Sequence, residues 1–122
     1  DRGSARSRIF DLLEAMKIPF IDVGMGLYRR QGPLDGLLRA TYCPEGDARL
    51  ARDQKLAPLA DSPDDEYRTN VQIAELNALN AAMAVVLFKQ IRGFYCRGSA
   101  ATHRLMAIST LKACDNAEAP SD

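Results

Sequence analysis

The amino-acid sequence predicts an α/β domain that runs helix, strand, strand, loop, long helix, strand. Three observations carry that prediction. Ile9, Leu12, Leu13 and Met16 recur at i, i+3, i+4 and i+7; Phe20 to Tyr28 is an apolar run without a helical period; and Asn70 to Arg92 is a long apolar stretch with one.

The first helix is predicted from about Ser4 to Lys17. Ser4 is positioned to cap it, Arg6, Arg8, Asp11, Glu14 and Lys17 would keep one side solvated, and Pro19 forces Ile18 out of helical angles. The run Phe20-Ile21-Asp22-Val23-Gly24-Met25-Gly26-Leu27-Tyr28 has little alternation, which suits an interior strand covered on both faces. Gly24 and Gly26 lie on one side of it, where a helix or loop would pack closely. Gln31-Gly32-Pro33 turns the chain, and Leu37 to Tyr42 reads as the antiparallel partner strand.

Periodicity then vanishes from Cys43 to Arg68, a stretch punctuated by Pro44, Gly46, Pro58 and Pro63 and carrying the acidic run Asp61 to Glu66. Loops of this length inside compact domains are uncommon. The acidic run reads as a solvated segment. Thr69 to Gln72 offers a capping box for the long helix, which ends at Arg92-Gly93. Its second half is apolar nearly all round, which predicts burial on more than one side, and Asn77 and Asn80 are expected to hydrogen-bond neighbouring loops. His103 to Leu111 reads as one further strand, and Asn116 to Asp122 as a frayed tail.

Composition narrows the function classes. The 122 residues form one domain, with 16 Lys+Arg against 16 Asp+Glu. That zero net charge argues against nucleic-acid binding through a summed basic field. The longest apolar run, Ala81 to Phe88, falls far short of the roughly 20 residues a membrane span needs. Three cysteines with no CxxC pair, beside a single His, give neither zinc-site spacing nor a disulfide framework, so a reducing, cytoplasmic setting is expected. The chain opens on Asp1-Arg2-Gly3-Ser4, without Met, and reads as a piece of a longer polypeptide cut just before a helix. It contains neither GxGxxG nor a Walker A sequence.

Among candidate site residues, Asp1 is by itself an acid favouring a helix N-terminus. Cys43 lies at a strand end before Pro44, with Arg39, Arg49 and Arg52 within reach to favour a thiolate, although an incidental loop cysteine is the plainer reading. Asp22, in an apolar strand, is either a buried acid bonded to nearby backbone or a polar group lining a groove. His103 has no Ser or Cys nucleophile beside it in sequence, which argues against a triad. Cys96 and Cys114 carry no signal.

Three stretches go further. Asp1 to Arg6, Ile18-Pro19-Phe20-Ile21-Asp22-Val23-Gly24-Met25-Gly26, and Asn70-Val71-Gln72-Ile73-Ala74-Glu75-Leu76-Asn77-Ala78-Leu79-Asn80-Ala81-Ala82 resemble the second half of a ThiF/MoeB/HesA adenylyltransferase, the family that includes ubiquitin-activating enzymes. The resemblance spans Asp1 to about Tyr95. It implies part of a Rossmann-like domain that binds ATP and Mg²⁺ and adenylates the C-terminal carboxylate of a ubiquitin-like or sulfur-carrier protein, often with a cysteine attacking the adenylate. It further implies that Asp1 is a Mg²⁺ ligand, that Arg6 is an orienting or structural residue at the nucleotide site, and that the strand around Val23 to Gly26 flanks the groove for the carrier tail. The segment Cys43 to Arg68 takes the place of the crossover loop in which relatives carry their thioester cysteine, so Cys43 is the candidate nucleophile. A homodimer is implied, and no zinc, because the family's paired CxxC cysteines are missing. The Gly-rich loop lies upstream in relatives and is not in this chain, so the fragment alone is expected to be inactive. The alternative is a non-catalytic dimerisation and tail-binding module derived from the same fold.

Overall fold

The computed structural model describes residues 3–53, 73–100 and 102–115. Its order is α1 (Gly3–Met16), β1 (Phe20–Arg29), β2 (Leu34–Cys43), a 3₁₀ turn (Pro44–Gly46), α2 (Arg49–Asp53), α3 (Ala74–Ile91), β3 (His103–Ala107) and β4 (Ala113–Asp115). The strands form one antiparallel sheet in the order β1-β2-β3-β4. The fold is therefore mixed α/β, as expected.

The hairpin sets the register. Arg30 N–H donates to the Pro33 carbonyl at 2.7 Å across a two-residue turn, Gln31-Gly32, in which both φ angles are positive. That turn places Asp22 opposite Thr41, Gly24 opposite Arg39 and Phe20 opposite Cys43. Successive side chains of a strand point to opposite faces, so Leu38, Ala40 and Tyr42 share one face of β2 while Arg39, Thr41 and Cys43 share the other.

The first of these faces meets α3. Leu38, Ala40, Met83 and Leu87 form its buried centre, with Ile21, Met25, Leu76, Leu79 and Met106 packed around them. Burying a side chain such as Leu87 or Leu38 contributes about 1.5–3 kcal/mol. Arg104 fastens the far side, donating to Gln90 Oε1 at 2.9 Å and to both oxygens of Asp115. The opposite face meets α1, whose Phe10 packs on Phe20 with ring centroids 5.3 Å apart and joins Cys43, Ala48 and Ala51 in a second cluster. Gly46, at φ 78°, presses the 3₁₀ turn against α1: a Cβ there would come within 2.5 Å of the Leu13 carbonyl.

Several expectations are corrected here. The apolar stripe of α1 does not face inward: Ile9, Leu12 and Met16 are 56%, 58% and 58% exposed. The inward side carries Arg6 and Phe10, one turn apart, because Asp22 on the sheet receives the arginine. β1 is not an interior strand but the edge of the described sheet. The long helix begins at Ala74, after an extended Ile73 whose carbonyl accepts from Leu76 and Asn77 N–H. The Thr69–Gln72 box lies outside the described residues. Among the described residues only the sheet packs against that helix, and Val85, Val86 and Phe88 are exposed. Its end is as predicted, with Gly93 following at φ 86°. The segment expected to lack structure from Cys43 onward contains the 3₁₀ turn and α2; its remainder to Arg68 is outside the described residues, as is the 116–122 tail. The last strand is two, since Leu111 turns back at φ 57° and Ala107 N–H bonds the Lys112 carbonyl at 3.1 Å.

Candidate functional site

On the α1 face of the sheet the hairpin register and the helix crossing gather five polar residues in an apolar setting. Asp22, Arg39, Thr41 and His103 come from three adjacent strands, and Arg6 reaches down from α1. Arg6 donates through Nε to Asp22 Oδ1 at 3.2 Å and through Nη2 to Oδ2. Arg39, with a side chain only 4% exposed, bonds the same carboxylate from the other side at 2.9 Å. Its Nη1 also donates to Thr41 Oγ1 at 2.8 Å, and its Nε finds no acceptor among the described residues. Thr41 Oγ1 stands 2.9 Å from His103 Nδ1. Thr41 accepts from Arg39 and hydrogen-bonds the imidazole, as acceptor or donor according to which ring nitrogen carries the proton.

Two guanidinium groups thus share one carboxylate. A buried guanidinium without a counter-charge is costly, so Asp22 is what allows Arg39 to lie inside. Gly24 supplies the space: a Cβ there would sit 3.1 Å from Arg39 Cζ and closer still to Nη2. The glycine does pack closely against a neighbour, but that neighbour is a side chain of the adjacent strand. From the other side of the sheet Asn80 Nδ2 donates to the Gly24 carbonyl at 3.0 Å, so the helix asparagine holds strand backbone rather than a loop. Burial, helped by the charge on Arg39, moves the His103 pKa below its ordinary value and favours the neutral ring.

Cys43 closes the row. It is fully buried against Phe10, Ala48 and Ala51, and burial raises its thiol to about 11, the nearby carboxylates of Asp22 and Asp47 adding to the effect. The sulfur is therefore a protonated thiol shielded from solvent, and nucleophilic attack requires it to be uncovered first. The electropositive side chains near it are otherwise engaged. Arg49 pairs with Asp47, holding that carboxyl down at about 2, and Arg52 bonds Asp11 at 2.6 Å with its guanidinium 5.3 Å from the Phe10 ring centroid.

Asp1 lies outside the described residues. Among those described, no group of three or more His, Cys, Asp or Glu side chains is arranged to hold a metal ion, and Arg6 is committed to Asp22. No described helix is long and apolar enough to cross a membrane.

The sequence points to Arg6, Asp22, Cys43 and His103 one at a time and does not show that Arg6, Asp22 and Arg39 form one ion-paired unit inside a five-residue cluster. Arg39 and Thr41 were missed as members of it. The signal was present: a two-residue turn at Gln31-Gly32 fixes every pair in the hairpin, including Asp22 with Thr41. No family model matches this chain, and no curated protein or solved structure matches it either.

Proposed function

We propose that this chain is the C-terminal portion of an ATP-dependent ThiF-type adenylyltransferase that activates the C-terminal carboxylate of a ubiquitin-like or sulfur-carrier protein in the cytoplasm. One observation carries the reading. The three stretches that resemble the family converge on β1: Arg6 of the first bonds Asp22 of the second, and Asn80 of the third bonds the Gly24 carbonyl. Residues that share a motif for a reason of function are expected to meet in space, and these do.

In the complete enzyme ATP with Mg²⁺ would supply the adenylyl group, bound mainly by residues upstream of Asp1, with Asp1 as the carboxylate toward the metal. Arg6 acts as an orienting residue. It holds α1 against the sheet through Asp22. The exposed side of α3, with Val85, Val86 and Phe88, is the surface through which a homodimer would form. The test is ATP–pyrophosphate exchange by the complete polypeptide in the presence of its carrier. Exchange is expected, and Asp1→Ala is expected to lower it at least about 100-fold, as loss of an electrostatic catalytic contact does. No exchange, or exchange indifferent to Asp1→Ala, overturns the reading.

The shielded thiol of Cys43 favours a second reading, a module that binds a carrier tail and dimerises without catalysis. Calorimetry with a peptide ending in Gly-Gly separates the two. Tail binding unaffected by ATP selects the module, whereas nucleotide-dependent binding selects the enzyme.

A further inference from the structure

We propose that the cavity between the last turns of α3 and the start of β1 binds a small monocarboxylate with an apolar body, of the chemical class of a medium-chain fatty acid. The core between α3 and the sheet is sealed at Leu38 and Leu87 but not at the end of the helix. There Ile21, Tyr42 and Ile91 are only half-buried, and Phe88 is exposed. A cavity of about 580 Å³ lies among these four residues, Phe20 and Arg92. Cavities of roughly 300–1,000 Å³ with an apolar wall and a few polar groups are the usual form of small-molecule sites.

Two polar side chains line this wall, and both are unengaged. The Tyr42 hydroxyl and the Arg92 guanidinium have no hydrogen-bond or ion-pair partner among the described residues. The neighbouring cations are occupied. Lys89 Nζ lies 4.9 Å from the ring centroid of Phe94 and 5.6 Å from that of Tyr95, and Arg104 is held by Asp115 and Gln90. Among the described residues no Asp or Glu lines the cavity, so Arg92 has no counter-charge there. These groups select both ends of a ligand. A planar guanidinium takes a carboxylate through two parallel N–H···O bonds, and a phenol hydroxyl is a further donor to it. The apolar wall takes the hydrocarbon. An uncharged ligand leaves the guanidinium without an anion, and a cation is repelled by it. A phosphomonoester or dicarboxylate would set a second charge against the apolar wall, which is costly.

Calorimetry and backbone chemical shifts, recorded without ATP, test this with decanoate and with its uncharged methyl ester. The proteins are the 122-residue chain and the complete polypeptide that contains it. Decanoate is expected to bind both and to shift the amides of Ile21, Tyr42 and Ile91. Arg92→Ala and Tyr42→Phe are each expected to weaken it at least about 10-fold, as loss of a hydrogen bond to a charged group does. The ester is expected to bind more weakly and to be indifferent to Arg92→Ala. Arg92 is exposed, and Tyr42→Phe removes one unpaired oxygen, so both variants are expected to keep the fold. No decanoate binding overturns the proposal, as does equal binding of acid and ester with no response to Arg92→Ala. Binding by the 122-residue chain that disappears in the complete polypeptide, or in a dimer seen by sedimentation, assigns the cavity to a polypeptide and overturns it too. Decanoate binding without ATP–pyrophosphate exchange keeps the site and rejects the adenylylation reading, and exchange without decanoate binding does the reverse.

Discussion

On one face of β2, Leu38 and Ala40 are sealed by Met83 and Leu87; on the other, one residue out of step, Arg39 and Thr41 are sealed just as completely by Asp22, Arg6 and His103. Both faces are dry, but they are held by different physics. The apolar face gains from area removed from water and tolerates exchange among side chains of similar volume. The polar face gains little from its charges in net terms, because desolvation offsets most of their attraction, and tolerates almost no single change. Stability resides mainly in the first, and intolerance of single substitutions in the second.

The contrast is sharpest at Asp22. Asp22→Ala leaves Arg39 buried without a counter-charge and is expected to cost about 3–5 kcal/mol in urea unfolding. Replacing the pair together, Asp22→Leu with Arg39→Met, is expected to cost clearly less; an equal loss would mean that the cost is not one of stranded charge. On the apolar face Leu87→Ala is expected to cost about 3 kcal/mol through lost contact and residual cavity, and no companion substitution of a polar residue should relieve it.

A smaller effect separates the faces at Gly24. Gly24→Ala drives a methyl into the guanidinium of Arg39 and is expected to cost about 1–3 kcal/mol by overpacking. Gly98→Ala, where a Cβ meets nothing within 4 Å, is expected to stay within about 0.5 kcal/mol. Finally, only the polar face titrates near neutrality. His103 has a folded pKa below its ordinary 6.5, so on acidification the unfolded chain takes up the proton first. Stability is expected to be fully present above that ordinary value and to decline as the pH falls below it toward the folded pKa. His103→Gln should flatten the decline in thermal melts between pH 7 and pH 5, and an unchanged slope would assign it to other groups.

Sequence alone was a good guide wherever local rules decide. The first helix stops where Pro19 requires, the hairpin turns at Gln31-Gly32, and the long helix ends before Gly93. It misled where a partner from far along the chain reverses the local preference. Ile9, Leu12 and Met16 make the more apolar stripe of α1, yet the helix turns Arg6 and Phe10 inward because an acid waits on the sheet. Cys43 looked like a loop residue because nothing in its neighbourhood announces that Phe10, Ala48 and Ala51 close over it. The polar cluster was half legible: its register could be counted from the turn, but the helix crossing that adds Arg6 could not.

The seat of Gly46 on the backbone of α1 has a mechanical result. With no side chain between them, the turn after β2 seats directly on the α1 backbone, and from that seat α1 carries both Phe10 onto the Cys43 cluster and Arg6 onto Asp22. Lifting α1 would therefore uncover one side of the thiol and open the charge cluster together.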